Sequence, residues 1–367
     1  MILKNIDILN FKNIGEASIE FSQGVNCLLG LNGMGKSNLL DAIHFLSVTR
    51  PMATLPENLL IRHNEEAMLV KGTYITDSNG EDTISCGIQR GKAKRLKRNG
   101  KEYRRFSEHI GRYPIVSATP SDIRLVNGSG EERRKLMDMV LSQAQPIYLT
   151  SLMRYNKALE SRNKMLRAGI RDSILYDSVE TVMCEAASLI HSIRREWTQS
   201  LAPAMQEIYR RLSGSQEETY IAYSSKLNEQ GMKELLDSQR AKDTVLGFTS
   251  AGVHRDDIEA TLDGYPLRRI GSQGQLKTFT IALRFAIFHY IRETSGAMPI
   301  LLLDDIFDKL DASRVENIMT EVTAPDRFGQ IFLTDTNRKH LDDIMLGING
   351  DKTLLNVQAG VFTPINA

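Results

Sequence analysis

Eight residues, 30–37, limit the possible folds of this 367-residue chain more than any other segment. They read Gly-Leu-Asn-Gly-Met-Gly-Lys-Ser and fit the pattern G-x-x-x-x-G-K-[ST] at every position. Such a loop surrounds phosphates with backbone N–H groups, while its lysine neutralises their charge and its hydroxyl binds Mg²⁺. We therefore predict a nucleotide site in which Lys36 is also catalytic and Ser37 is a metal ligand. The predicted phosphate-binding residues are Gly30, Leu31, Asn32, Gly33, Met34, Gly35, Lys36 and Ser37.

The sequence on both sides of this loop supports the same conclusion. Residues 25–29 are mostly apolar and predict a strand, and the apolar residues between Leu39 and Leu46 recur at helical spacing. A phosphate loop is built on a strand, a glycine-rich turn and a helix in that order. The helix that begins near Lys36 adds its positive N-terminal end to the site.

Composition excludes several classes of protein. Hydrophobic residues make up 41% of the chain and charged residues 25%, which predicts a globular protein and not a disordered or collagenous one. Apolar runs such as residues 300–303 are far shorter than the roughly 20 residues of a membrane span, so we expect no membrane partner. The three cysteines form no C-x-x-C pair, which argues against a thiolate zinc site and predicts a cytoplasmic location.

The chain changes character twice along its length. Its first third alternates like short strands, with turns predicted at 78–80 and 99–100, and its last third is mixed α/β. Between them, two long amphipathic helices joined near 168–173 fit either a helical hairpin or ordinary core helices in a lobe. We predict one discontinuous α/β domain, formed by residues 1–130 and 241–367, with a helical lobe at 131–240.

Two further segments have the chemistry of a nucleotide site. The apolar run 300–303 ends in Asp304 and Asp305, as expected for a buried parallel strand that presents carboxylates at its carboxyl end. Asp304 is the predicted Mg²⁺ ligand, and Asp305 is the predicted catalytic residue that orients or deprotonates the attacking water. A second segment, 271–275, reads Gly-Ser-Gln-Gly-Gln before a helical pattern and predicts a second anion-binding helix terminus.

Taken together, these motifs resemble the ABC-type ATPase heads of the structural-maintenance-of-chromosomes class. Within that class the chain resembles the RecF family of bacterial recombination and repair proteins, and the similarity extends over its full length. The segments that resemble RecF, besides the three motifs above, are 9–13, 122–126 with 133–134, 252–257 and 310–311. The resemblance implies an α/β head, a mixed sheet flanked by helices, that carries an inserted helical lobe.

The resemblance also implies an activity. ATP would bind the loop of one subunit with Mg²⁺ and be capped in trans by Ser272, Gly274 and Gln275 of a second, so ATP would drive homodimerisation. Lys12 and Asn13 would lie near the nucleotide base. The dimer would be a weak DNA-dependent ATPase, a switch that binds single-stranded or gapped DNA. With RecO and RecR it would load RecA during repair, replication restart and the SOS response.

Two alternatives remain at this point, a transporter ATPase subunit and a chromosome-organising head. Related transporters place a histidine after the strand at 331–333, where this chain has Thr334 and Asp335, and their role stays open. His254 fits either a contact with phosphate or the dimer face, or a structural role.

One segment carries a strong local charge although the whole chain has a net charge of only +1. Residues 90–105 contain nine cationic side chains and one glutamate, a local net charge of +8. Such a patch binds the phosphate backbone of nucleic acids with little sequence preference. The alternative is a β-hairpin around Asn99-Gly100 whose cations face solvent. The candidate DNA-binding residues are Lys94, Arg95, Lys97 and Arg98.

Overall fold

The computed structural model describes residues 1–53, 55–76, 80–348 and 350–365, so Ser78 and Asn79 of one predicted turn lie outside the described residues. The strands are β1 (Ile2–Phe11), β2 (Ile14–Glu20), β3 (Val25–Leu29), β4 (Ala67–Ile75), β5 (Glu81–Gln89), β6 (Arg95–Arg98), β7 (Lys101–Glu102), β8 (Ile115–Ala118), β9 (Thr219–Ser224), β10 (Asp257–Leu262), β11 (Tyr265–Pro266), β12 (Ile300–Asp304), β13 (Ile331–Asp335), β14 (Lys352–Gln358) and β15 (Val361–Pro364). The α-helices are α1 (Lys36–Val48), α2 (Arg124–Asn127), α3 (Gly130–Ala144), α4 (Pro146–Arg167), α5 (Ser173–Ser213), α6 (Met232–Leu246), α7 (Leu267–Ile270), α8 (Gln273–Ser295), α9 (Ala312–Thr323) and α10 (Arg338–Gly347).

The chain separates into two compact units. The first comprises Met1–Asp122, Arg211–Gly214 and Leu283–Ala367, and the second comprises Ile123–Arg210 and Ser215–Ala282. These units are defined by contacts between residues, whereas the domain boundaries predicted at residues 130 and 240 are drawn from composition and motifs. Those limits stay a prediction.

An antiparallel sheet in the first unit has the strand order β2-β1-β4-β5-β6-β7. Its strands alternate between buried and exposed residues, as expected when one face is covered and the other faces water. Strands β6 and β7 are joined by Asn99 and Gly100, which both have positive φ angles (51° and 78°). This is the two-residue hairpin turn that an Asn-Gly pair favours, and it confirms the turn predicted there.

A second sheet of the first unit positions the site. Its order is β15-β14-β3-β13-β12-β8, and all neighbours from β14 to β8 are parallel. Strands β12 and β13 are buried at every residue, which explains the apolar runs 300–303 and 331–333 with which they begin. Helix α1 shares one hydrophobic core with both sheets, through residues such as Ile6, Phe45 and Phe332. Because β3, β12 and β13 are parallel, their carboxyl ends meet at one edge.

The second unit is built on a helical hairpin. Helices α4 and α5 are antiparallel, since Arg154 contacts Glu185 (2.8 Å) and Arg162, further along α4, contacts Glu180 (2.9 Å). Arg162 is fully buried and also donates to Asp243 of α6 (2.7 Å). Breaking such a buried ion cluster costs about 3–5 kcal/mol. The cluster therefore fixes the pairing of the three helices, and the hairpin is not a free-standing arm. A small antiparallel sheet, β11-β10-β9, completes this unit.

Candidate nucleotide-binding site

The predicted phosphate loop connects β3 to α1 and requires its glycines. Gly33 and Gly35 have φ angles of 80° and 114°, a region that L side chains rarely adopt. A Cβ atom on Gly30 would lie 2.4 Å from the backbone oxygen of Val357, so that position has no room for a side chain. The loop can therefore approach phosphates with its backbone, and α1 begins at Lys36 as predicted.

Lys36 is buried within the loop. Its Nζ donates to the backbone oxygens of Gly30 (2.6 Å) and Leu31 (3.1 Å). Burial lowers the pKa of Lys36, and the nearby carboxylates of Asp305 and Asp304 oppose that shift. The ammonium is thus held against two carbonyl groups, which phosphate oxygens can replace as stronger, charged acceptors.

A hydrogen-bonded set joins the loop to the ends of β12 and β13. The Ser37 hydroxyl donates to Oδ1 of Asp304 (2.8 Å), and the Thr334 hydroxyl donates to the same oxygen (2.8 Å). Thr334 Oγ1 in turn accepts the backbone N–H of Asp305 (3.0 Å). Ser37 and Asp304 offer two adjacent hard oxygen ligands, which fit the chemistry of Mg²⁺. Thr334, whose role the sequence leaves open, orients both aspartates.

Asp305 lies in a strained backbone conformation. Its φ angle is 48°, which is uncommon for a residue other than glycine and costs of the order of 1–3 kcal/mol. The hydrogen bond from its N–H to Thr334 helps hold this geometry. Because Asp305 directly follows β12, it lies immediately beyond the carboxyl edge of the sheet, beside the loop.

Lys12 and Asn13 have different surroundings. Asn13 lies against the loop, because it donates to the backbone oxygen of Gly33 (3.3 Å) and accepts from Asn38 of α1 (2.7 Å). Lys12 forms an ion pair with the buried Asp41 on the same helix. Asn13 therefore contacts the phosphate loop, while Lys12 is engaged with α1.

The predicted second anion site lies at the start of α8, in the second unit. Ser272 is exposed, and its backbone N–H donates to Oε1 of Gln275 (2.7 Å). Gln275 N–H donates back to Oγ of Ser272 (3.2 Å), which makes a reciprocal capping box. Gly274, between them, is partly exposed. The segment is therefore an ordered, accessible helix terminus of the kind that binds anions.

Known proteins resemble this chain over its whole length. A family model described as the RecF/RecN/SMC N terminal domain matches residues 2–109. A protein of Parabacteroides distasonis, named DNA replication and repair protein RecF, is 43% identical over 365 residues and 100% of both chains. The chain belongs to the RecF family. It is a RecF-type DNA replication and repair protein, and this interpretation is favoured over a transporter subunit or a chromosome-organising head.

Solved structures agree with the RecF assignment. One, described as the recombination mediator protein RecF-ATP in the RecFOR pathway, is 28% identical with a TM-score of 0.88, and covers 100% of this chain and 98% of that one. A Smc head domain derived from Pyrococcus furiosus, 19% identical with a TM-score of 0.58 over 99% and 96% of the chains, shares the fold. The ABC-type head predicted from the sequence is thus confirmed. Within the described residues, no helix has both the length and the apolar character needed to cross a bilayer.

The basic hairpin of this RecF-family chain is partly occupied by internal contacts. Lys94 donates to the backbone oxygen of Thr49 (2.7 Å) and pairs with Glu57, and Arg98 binds Asp82 through two nitrogens (3.1 and 2.9 Å). These two predicted DNA-binding residues therefore have structural partners. Arg95 is exposed and Lys97 is partly exposed. The exposed cations of the segment are Arg90, Lys92, Arg95, Lys101, Arg104 and Arg105.

His254, left open by the sequence, has both ring nitrogens engaged. Nδ1 lies 2.7 Å from the hydroxyl of Tyr155, and Nε2 lies 3.0 Å from the backbone oxygen of Thr249. Burial lowers the pKa of His254 to about 4, although the Thr249 hydrogen bond opposes the shift. A neutral ring that donates from Nε2 and accepts at Nδ1 satisfies both contacts. This geometry supports the structural role.

The neutral His254 predicts an acid sensitivity of folding. Its folded pKa of about 4 lies below the ordinary value of 6.5, so the unfolded chain binds a proton first as the pH falls. Its stabilising contribution is complete above pH 6.5 and is lost between pH 6.5 and 4, about 3 kcal/mol in total. Urea unfolding followed across this range should show a shallower pH dependence for His254→Gln than for wild type. Exposed His63→Gln is the control, and an unchanged slope in His254→Gln would contradict the assignment.

Proposed function

We propose that this RecF-family protein is an ATP-dependent switch that closes as a homodimer on DNA. ATP binds the loop at residues 30–37 of one copy, and Ser272, Gly274 and Gln275 of a second copy cap the triphosphate. The observation that carries this proposal is the hydrogen-bonded set of Ser37, Asp304 and Thr334 beside the loop. It brings a hydroxyl and a carboxylate to one point, as a nucleotide–metal site requires.

The residues in and beside the phosphate loop each have a definite role in this proposal. Lys36 exchanges its two carbonyl partners for phosphate oxygens. Ser37 and Asp304 hold Mg²⁺, which when bound neutralises phosphate charge. Asp305, held by Thr334, orients the water that attacks the terminal phosphate. Hydrolysis removes the group that joins the two copies, so slow turnover resets the switch.

The family supplies the biological setting. A solved relative is described as a recombination mediator in the RecFOR pathway, which supports RecR and RecO as partners. We infer that RecA is the recombinase that is loaded. We place the protein at single-stranded or gapped DNA during repair, replication restart and the SOS response. The two buried cysteines, Cys27 and Cys86, remain free, in keeping with a cytoplasmic location.

Sedimentation with and without ATP, and with and without gapped DNA, tests the proposal directly. We expect a monomer without nucleotide, a dimer with ATP, and stronger dimerisation when gapped DNA is present. ADP in place of ATP serves as the control, because it lacks the terminal phosphate that reaches the second copy. A chain that stays monomeric with ATP and DNA at micromolar concentrations would refute the switch.

The exposed side of the basic hairpin provides a separate prediction. Replacing Arg95, Lys101 and Arg104 together with alanine should weaken DNA binding and reduce the slope of log K against log salt, by about 0.7–0.9 for each phosphate that is no longer neutralised. The matched control removes three exposed cations of the helical unit, Lys157→Ala, Lys164→Ala and Lys242→Ala. Fluorescence anisotropy across a salt series measures both. If the control variant shows the reduced slope instead, DNA binds the helical unit.

A further inference from the structure

Glu217, which precedes β9, joins the start of α8 to the end of α5 through its carboxylate. Its Oε1 accepts from Nε2 of Gln275 (2.6 Å). Its Oε2 accepts from the hydroxyls of Tyr209 (2.8 Å) and Ser215 (3.0 Å). A carboxylate with donors on both oxygens is held in one orientation. No sequence pattern indicates this contact, because 58 residues separate Glu217 from Gln275.

The carboxylate determines which way the Gln275 amide faces. Its NH₂ group can only point toward Glu217, so its oxygen must point the other way, where it accepts the N–H of Ser272 (2.7 Å). In the opposite orientation the amide oxygen would meet a carboxylate oxygen, and the NH₂ would meet an N–H group. Both contacts would be repulsive. A charged Glu217 therefore selects one amide orientation.

The Gln275 amide oxygen thus holds the backbone of Ser272, and a second contact with Gln275 orients the Ser272 hydroxyl. Its Oγ accepts the backbone N–H of Gln275 (3.2 Å), so its own proton must point elsewhere. Ser272 is exposed, and the group it can then offer to an incoming ligand is a hydrogen-bond donor. A phosphate oxygen is an acceptor and matches that donor.

We propose that Glu217 is a positioning residue for nucleotide capping: through Gln275 it orients Ser272 toward a phosphate bound by a second copy. This inference rests on the proposed function, since it needs Ser272 to act in trans. Glu217 does not touch the nucleotide. Its contact with Tyr209 also ties the capping segment to α5, the 41-residue helix of the hairpin.

Glu217→Ala is expected to leave ATP binding to the monomer unchanged and to raise the ATP concentration for half-maximal dimerisation at least about tenfold. A tenfold change corresponds to the loss of one charge-assisted hydrogen bond, and a symmetric dimer contains the Glu217–Gln275 bond twice. Glu217→Gln keeps the side-chain volume but allows either amide orientation, so its effect should lie between wild type and alanine. The control is Glu218→Ala, which removes the same charge from a neighbouring, 76% exposed side chain.

A double variant tests whether Glu217 acts through Gln275. If it does, Glu217→Ala/Gln275→Ala should need no more ATP than Gln275→Ala alone, because the effects of coupled residues do not add. Additive effects, or half-maximal dimerisation of Glu217→Ala at the wild-type ATP concentration, would overturn the proposal. Thermal melting without nucleotide is the folding control. The melting temperatures of all variants should agree within a few degrees, because a general loss of fold would lower them. A wild type that fails to dimerise with ATP would instead refute the proposed function.

Discussion

Lys36→Ala is expected to weaken ATP binding at least about a hundredfold and to abolish ATP-dependent dimerisation. Lys36 Nζ lies 2.6 Å from the backbone oxygen of Gly30, inside the loop whose N–H groups would surround the phosphates. Alanine removes the one cation of the loop, and two charge-assisted hydrogen bonds to phosphate are worth about 3 kcal/mol or more. Without a bound triphosphate, nothing remains for a second copy to cap.

Fluorescent ATP-analogue titration and sedimentation measure the two effects of Lys36→Ala. Lys71→Ala, on the outer face of the antiparallel sheet and 46% exposed, is the matched control and should bind like wild type. The melting temperature without nucleotide should not fall in Lys36→Ala, because the deleted side chain is a buried amine whose charged form burial disfavours. An ATP affinity within about threefold of wild type would rule out the assigned role of Lys36.

The parts of the fold and site that sequence predicts are those that local geometry dictates. The loop at 30–37 has positive φ angles at positions 33 and 35, which favour glycine. The glycines in the sequence therefore reveal the loop. The same holds for the Asn99-Gly100 turn. Strand β12 is predictable because both of its faces are buried, which leaves an unbroken apolar run that ends in two aspartates.

Contacts between distant segments could not be predicted. Thr334 orients Asp305 across 29 residues, and only the register of β13 beside β12 brings them together. The contact of Glu217 with Gln275 likewise depends on packing in the second unit. Sequence position draws attention to Thr334 but does not show its contact with Asp305, and no local pattern marks Glu217.

Contacts between distant segments also decide which cations of the basic segment, residues 90–105, are free to bind DNA. Its charge is visible in sequence, but the division between free and engaged cations is not. Lys94 and Arg98 pair with Glu57 and Asp82, which are 37 and 16 residues away. A count of positive residues therefore overstates the surface that DNA can reach. The exposed cations are better candidates for DNA contact than Lys94 and Arg98, which are engaged within the chain.

Ser272→Arg is expected to leave ATP binding by the monomer intact and to abolish ATP-dependent dimerisation. Ser272 is exposed at the start of α8, so arginine fits there without disturbing the core. Its bulk and the loss of the hydroxyl would keep a second copy from the triphosphate, while the loop, which belongs to the first unit, is untouched. Ser18→Arg, an equal change at an exposed strand position, should dimerise like wild type. Normal dimerisation of Ser272→Arg would contradict capping by this residue.

Mixing the two defective proteins distinguishes capping in trans from capping within one chain. A heterodimer of Lys36→Ala and Ser272→Arg contains one intact site, formed by the loop of the second variant and Ser272 of the first. If capping occurs in trans, the mixture should regain ATP-dependent association and up to half of the wild-type hydrolysis per dimer, although each variant alone shows neither. If capping occurs within one chain, each protein carries its own defect and mixing restores nothing. Sedimentation of the mixture against the separate proteins therefore decides whether the triphosphate joins two copies of this chain.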